Sequence, residues 1–231
     1  MNKEIKQLKQ MKSKQRVRDY GEVYTPQHIV NDMLDLVKHE TERIDSRFLE
    51  PACGNGNFLA EILRRKLNIV DQRYNKTQIQ WEYNSIIAVS SIYGVDILED
   101  NAEECRKRLF NIFKERYNAL FADKCKPEVL RSVDFLLHRN ILWGDALDFT
   151  NPQTKQPIIF SEWSAVNGTM LKRKDYMFKF LVEKTFQTSL FDDEGNAAAI
   201  DEPVKDYPLV HFLKLSESEF SALKDGQDEK V

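Results

Sequence analysis

A short strand that breaks into a glycine turn and then a helix constrains this chain more than any other stretch. Ser46-Arg47-Phe48-Leu49-Glu50 reads as a strand stopped by Pro51. Ala52-Cys53-Gly54-Asn55-Gly56-Asn57 follows, and Phe58, Leu59, Ile62, Leu63, Leu67 and Val70 then recur at helical spacing. Strand, glycine turn and helix in that order open a βαβ unit. The pattern continues. A helical stretch near 81–91 precedes the strand Ile92–Ile97, and Asp100, with Glu103 three residues on, predicts a capped helix running to about Asn118. Another helix spans Pro127 to His138, strand Ile141-Leu142-Trp143 leads into Gly144-Asp145-Ala146, and Pro157–Phe160 is a fourth strand. Strands alternating with helices predict an α/β fold with a parallel, doubly wound sheet.

The flanks read differently. Residues 2–15 predict a helix that is polar all round, and residues 1–18 set seven lysines and arginines against the single Glu4. Gly21-Glu22-Val23-Tyr24-Thr25-Pro26 is a turn, with Thr25 as helix cap and Pro26 at the first helical position. Ile29, Met33, Leu34, Leu36 and Val37 follow at helical spacing. Beyond 170 the expectations are a helix over Met170–Lys184 carrying Lys172, Arg173 and Lys174, an acidic loop over 187–205, a strand over Tyr207–Leu215 and disorder in the last ten residues. The domain reading is a basic helical arm over 1–20, a main domain over 21–185 and an acidic tail over 186–231.

Composition excludes several classes. A net charge of −3 argues against a strongly basic nucleic-acid binder, although a basic arm suits phosphates. No apolar run approaches the roughly 18–20 residues of a membrane span. The first residues hold no apolar stretch of a secretory signal. Cys53, Cys105 and Cys125 form no pair spaced for zinc, so no metal site is expected, and so sparse a set suits reduced thiols in a cytoplasm.

Three acids then fall at one predicted sheet edge: Glu50, Asp96 and Asp145, each ending a strand. Ligands of open α/β sheets bind beyond the carboxyl ends of the strands. Gly54 and Gly56 allow a tight turn and close approach, and the helix starting near Asn57 points free N–H groups at the same place. The spacing is neither Gly-x-Gly-x-x-Gly nor a phosphate loop. Strand-end acids accept hydrogen bonds from ribose hydroxyls or an adenine amino group, so an adenosine-bearing ligand fits better than a phosphate.

Phe48-Leu49-Glu50-Pro51-Ala52-Cys53-Gly54-Asn55-Gly56-Asn57-Phe58-Leu59 resembles motif I of S-adenosylmethionine-dependent DNA methyltransferases of the N6-adenine type, the modification subunits of restriction systems among them. Gly21–Pro26 resembles their motif X, Gly94-Val95-Asp96-Ile97 motif II, and Gly144-Asp145-Ala146 motif III. The resemblance covers roughly residues 16–150. It implies a Rossmann-like methyltransferase fold, with an N-terminal helical arm and a shortened C-terminal half. It implies S-adenosylmethionine as cofactor and methyl transfer to adenine N6 in DNA, within restriction-modification or phage defence. By resemblance, Tyr24 and Thr25 close over the methionine end. Glu50, Ala52, Gly54 and Gly56 hold the methionine amino and carboxylate groups, and Phe58 packs at the pocket. Asp96 takes the ribose hydroxyls, Ile97 packs on the adenine, and Asp145, beside Ala146, accepts from the adenine amine.

The family's Asn/Asp-Pro-Pro-Tyr/Phe string, expected after strand four, is missing. Ser161-Glu162-Trp163-Ser164 stands there, and Asn151-Pro152 lies before the strand, where it suits a turn. Glu162 as acceptor for the target amine and Trp163 as stacking partner of the flipped base are the substitutes offered by residue type. Two other functions stay open. One is a catalytically inactive cofactor-binding subunit of a modification or defence complex, whose protein partner supplies target recognition or catalysis. The other is a methyltransferase acting on RNA or protein.

Overall fold

The structure, a computed structural model, describes residues 12–181 and 203–219. Residues 2–11 of the helix expected over 2–15, residues 187–202 of the loop expected over 187–205 and the last ten residues lie outside that description. Helix α1, Lys14–Tyr20, is capped by Ser13, whose hydroxyl accepts from the Arg16 N–H at 3.1 Å, and it ends at Gly21 in the left-handed region (φ 66°). Helices α2 (Gln27–Leu36) and α3 (Lys38–Thr41) follow. Thr25 does not cap α2. Pro26 itself holds the cap position without a side-chain bond, and the Thr25 carbonyl accepts from Asn57 Nδ2 at 2.9 Å. A residue before proline is pushed into extended backbone. Here that extension lays Thr25 along the start of the next helix.

The parallel sheet has three strands among the described residues. They are β1 (Phe48–Glu50), β2 (Ile92–Asp96) and β3 (Ile141–Trp143), in the order β1-β2-β3. Phe48 pairs with Ile92 and Gly94 with Ile141, so Glu50, Asp96 and Trp143 all stand at one edge. Between the strands run α4 (Asn57–Arg73), α5 (Gln78–Ser90), α6 (Glu99–Phe121) and α7 (Pro127–Asn140). Strand side chains alternate between faces. Phe48, Ile92 and Ile141 meet the helices in one large core. In that core Trp81 stacks on Tyr117 at 5.5 Å, with Phe113 and Phe121 around them. Tyr93, Val95 and Leu142 face the other way and meet a small cluster of Ile158, Phe160 and Phe178. Asp100 lies inside the first turn of α6 rather than at its cap, where a carboxylate suits the positive helix end. Leu98 holds the cap position without a side-chain bond, and Asp96 accepts from the Leu98 N–H at 2.9 Å.

The second half departs from the doubly wound expectation. The fourth strand leaves the parallel sheet: β4 (Ile159–Val166) pairs antiparallel with β5 (Met170–Met177), and β6 (Lys205–Asp206) and β7 (Val210–His211) pair with β5. Gly168, at φ 73°, turns the hairpin. Asn167-Gly168 between alternating runs is a strong hairpin signal, and it outweighs the helical spacing read over Met170–Lys184. Along β5, Leu171, Arg173 and Asp175 are buried while Lys172 and Lys174 are less so. Tyr207–Leu215 shortens to β7 and then forms a 3-10 turn, Phe212–Glu217, that buries Phe212 and Leu215 in the main core. Asn151 is a turn residue, its Oδ1 accepting from the Gln153 and Thr154 N–H groups at 3.0 and 2.9 Å. No helix among the described residues is long and apolar enough to cross a membrane.

Arg173 is the clasp of this half. It is 1% exposed, donates to both oxygens of Asp175 at 2.8 Å, and lies 4.1 Å from the Tyr207 ring centroid. Ser161 and Tyr207 donate to the same carboxylate at 2.7 and 3.0 Å. Replacing Arg173 with Met leaves Asp175 buried without its cation, so the expected cost is about 3–5 kcal/mol, read by equilibrium urea denaturation. Adding Asp175→Asn should return part of that loss.

Candidate functional site at the strand ends

The glycine turn is fixed by its backbone. Cys53 N–H donates to the Val95 carbonyl at 2.9 Å and Gly56 N–H to the Cys53 carbonyl at 2.8 Å. Gly54 and Gly56 both take positive φ, 52° and 82°. A methyl group on Gly54 would press on the Tyr24 ring at 3.1 Å, and one on Gly56 would strike Cys105 Sγ at 2.6 Å. Both glycines are therefore required twice, by conformation and by space. Gly54 N–H donates to Asp96 Oδ2 at 2.8 Å, which joins the turn after β1 to the end of β2.

Beyond these strand ends lies a cavity of about 530 Å³. Of the residues proposed from sequence, Tyr24, Thr25, Glu50, Ala52, Gly54, Phe58, Asp96, Ile97, Asp145 and Ala146 all line it. Gly56 does not line it but sets the turn that does. Four carboxylates, Glu22, Glu50, Asp96 and Asp145, stand in the wall, and among the described residues its lining includes no lysine, arginine or histidine.

Each carboxylate is held differently. Asp96 is 7% exposed and accepts from Gly54 N–H, from Leu98 N–H and from Asn101 Nδ2 at 3.2 Å. Asp145 Oδ1 closes its own turn, accepting from the Leu147 and Asp148 N–H groups at 2.8 and 3.3 Å. Burial pushes the Glu50 carboxyl up, against a lowering bond from the Ala52 backbone. Burial would raise Glu22 as well, but hydrogen bonds from Arg16, Asn101 and Tyr24 outweigh it and hold Glu22 below the usual range. In turn, burial and the Glu22 charge raise the Tyr24 phenol.

Glu162 and Trp163 do not join this cavity. They lie at the opposite, amino-terminal edge of the parallel strands. Glu162 pairs with Arg47, just ahead of β1, at 2.5 Å. Trp163 is 6% exposed, and its indole N–H donates to Asn140, just ahead of β3, at 3.2 Å. The hairpin that displaces the fourth strand carries both residues away from the strand-end cavity. Sequence reasoning also missed Glu22 and Asn101. Glu22 lies within the quoted turn, but nothing in the spacing distinguished it from a surface acid. Asn101 looks like any helical polar residue.

Alanine at Gly56 is expected to cost about 1–3 kcal/mol from left-handed strain and overpacking. Pairing it with Cys105→Ala should recover the packing share only, and urea melts of the three variants would show the split.

Comparison with curated proteins and with solved structures gave no match. A family model described as N-6 DNA methylase matches residues 6–123. That span holds the glycine turn, Glu22, Glu50 and Asp96, and it is just over half of the 231 residues. The chain belongs to the N-6 DNA methylase family.

Proposed function

We propose that this chain binds S-adenosylmethionine in the strand-end cavity and serves methyl transfer to the N6 amine of adenine in DNA. The observation that carries the cofactor assignment is the wall of four carboxylates around a glycine turn, without a basic side chain. Such a wall repels phosphate and suits a ligand with a sulfonium, an ammonium and a ribose diol. The family supports DNA as the substrate.

When bound, the cofactor supplies an electrophilic methyl group on a cationic sulfur. The residues orient it. Asp96 keeps two oxygens fixed by backbone and amide donors, with lone pairs left for ribose hydroxyls. Asp145, whose Oδ1 alone closes its turn, would accept from the adenine amine, and Ile97, 45% exposed, would offer an apolar face to the ring. Glu50 and the turn behind it take the methionine ammonium. Tyr24 lies against Gly54 and closes that end.

A second reading is favoured by the position of Glu162 and Trp163. Adenine N6 is a weak nucleophile, and its two N–H groups need acceptors beside the methyl donor. Residues 161–164 stand at the other edge of the sheet, so a partner protein supplying those acceptors would make this chain the cofactor-binding subunit. Labelled-methyl transfer from S-adenosylmethionine to unmethylated DNA separates the two: incorporation by the chain alone supports the enzyme, and cofactor binding without incorporation supports the subunit.

Asp96→Ala should weaken S-adenosylmethionine roughly ten- to a hundredfold by calorimetry; unchanged affinity would remove the assignment. Glu162→Ala should leave affinity intact. The raised Glu50 carboxyl gives a pH signature. As pH falls from neutral through that raised value, Glu50 takes up a proton, loses its attraction for the ammonium, and affinity drops. Glu50→Gln should bind weakly throughout and flatten that part of the profile.

A further inference from the structure

We propose that Arg16 and Asn101 are positioning residues of the cofactor cavity, and that Lys12 and Arg16 serve the cofactor rather than DNA. The inference rests on the cofactor reading above and extends it to residues outside the strand ends.

The geometry is an unbroken polar chain from α1 to Asp96. Arg16 donates to both oxygens of Glu22, from Nε at 2.6 Å and Nη2 at 2.9 Å. Its other contacts run to α6: Nη1 to Asp100 at 2.7 Å, and Nη2 to Asp100 and Asn101 at 3.0 and 3.2 Å. Asn101 is 1% exposed. Its Oδ1 faces three donors, Lys12 Nζ, Arg16 Nη2 and the Tyr24 hydroxyl, while its Nδ2 donates to Glu22 at 2.7 Å and Asp96 at 3.2 Å. Turning the amide over would set Nδ2 against two cationic donors, Lys12 and Arg16, and Oδ1 against two carboxylates. The orientation is therefore fixed by its neighbours, and with it one of the bonds that aims Asp96.

Burial decides which of these bonds matter. Asp100 is half exposed, and a pair with so wet a partner contributes little. The Glu22 side chain is 6% exposed, so its charge depends on the Arg16 fork. Without Arg16, two buried carboxylates, Glu22 and Asp96, share one amide with no cation beside them. The segment that carries Glu22 and Tyr24 over the glycine turn then loses its hold. Lys12 adds to the same junction through Asp100 and Glu104, at 3.0 and 2.8 Å. Both cations are engaged within the chain. A DNA phosphate would have to compete with carboxylates already in place.

The experiment compares the full chain with Arg16→Ala, Arg16→Lys, Asn101→Ala and the Arg16→Ala/Asn101→Ala pair. S-adenosylmethionine affinity is read by calorimetry, and binding to a labelled duplex is read by anisotropy across a salt series. Thermal melts identify any variant that fails to fold, and Arg16→Lys, which keeps the charge and loses only the fork, stands as the milder test. Arg16→Ala should lose roughly ten- to a hundredfold in cofactor affinity, Lys should recover part of it, and the paired variant should be little weaker than the worse single one. Duplex affinity and its salt slope should not move. A merely structural role would give additive losses with no rescue by Lys. Equal cofactor binding by the unaltered chain and Arg16→Ala, or a lowered salt slope in Arg16→Ala, overturns the proposal alone. An unaltered chain that binds no S-adenosylmethionine overturns the cofactor reading and this inference together.

Discussion

The hydrogen bond from Gly54 N–H to Asp96 is the tie on which the rest of the site depends. It links the loop after β1 to the last residue of β2, across strands that are already paired in parallel. Because both ends of that bond are at the same sheet edge, the glycine turn cannot drift from the carboxylate. Gly54 takes a positive φ in this turn, and the Tyr24 ring fills the space that a side chain there would occupy. The segment 21–25 is thereby placed over the turn, and Asn57 holds it from below through the Thr25 carbonyl. Arg108, from α6, steadies Asn57 at 2.5 Å. One backbone conformation thus sets the positions of three chain segments.

Around that edge the body is stapled by charges that the core encloses. Lys66 is fully buried and donates to the carbonyls of Ile44 and Ser46 and to the Ser91 hydroxyl. Burial pushes it down to about 7, yet the three acceptors tie α4 to the amino ends of β1 and β2. Glu82, also fully buried, meets Lys126 at 2.6 Å and the Tyr117 hydroxyl at 2.5 Å, which joins α5 to the entry of α7. Arg173 and Asp175 do the same for the antiparallel hairpin. Each is costly to desolvate and specific once satisfied. They fix the register between elements whose apolar faces alone would allow sliding.

How much of this was legible in the sequence divides at about residue 150. Before it, the period of the apolar residues and the two glycines dictate local structure, and local structure dictates the pocket. Glu50, Asp96 and Asp145 could be placed at one edge because parallel strands end together. After it, the signals conflict. A helix is expected over Met170–Lys184, while Asn167-Gly168 asks for a hairpin, and the hairpin forms with Arg173 buried in it. A buried arginine reads in sequence as a solvated one, since its partners Asp175, Ser161 and Tyr207 are scattered across the chain. Asn101 was hidden for the same reason: its partners are 5 to 89 residues away. Glu162 stands on the antiparallel hairpin beside Arg47, away from the strand-end cavity, because strand order in space does not follow from strand order in sequence.

The charge of the cavity is managed rather than neutralised, and this bears on what it can hold. Four carboxylates in one wall would repel one another and shift toward protonation if left alone. Glu22 is kept ionised by the Arg16 fork behind it, outside the cavity. Asp96 accepts from the Gly54 N–H of the glycine turn, from the Leu98 N–H ahead of α6 and from the Asn101 amide, donors that carry no net charge. Asp145 accepts from the Leu147 and Asp148 N–H groups of its own turn. Glu50, with a single backbone bond, is the one that burial pushes up. Negative charge is thus stabilised from the back while the front is left without a cation. A cationic ligand entering the cavity finds oriented acceptors whose solvation has already been exchanged for protein dipoles, so little reorganisation opposes its binding.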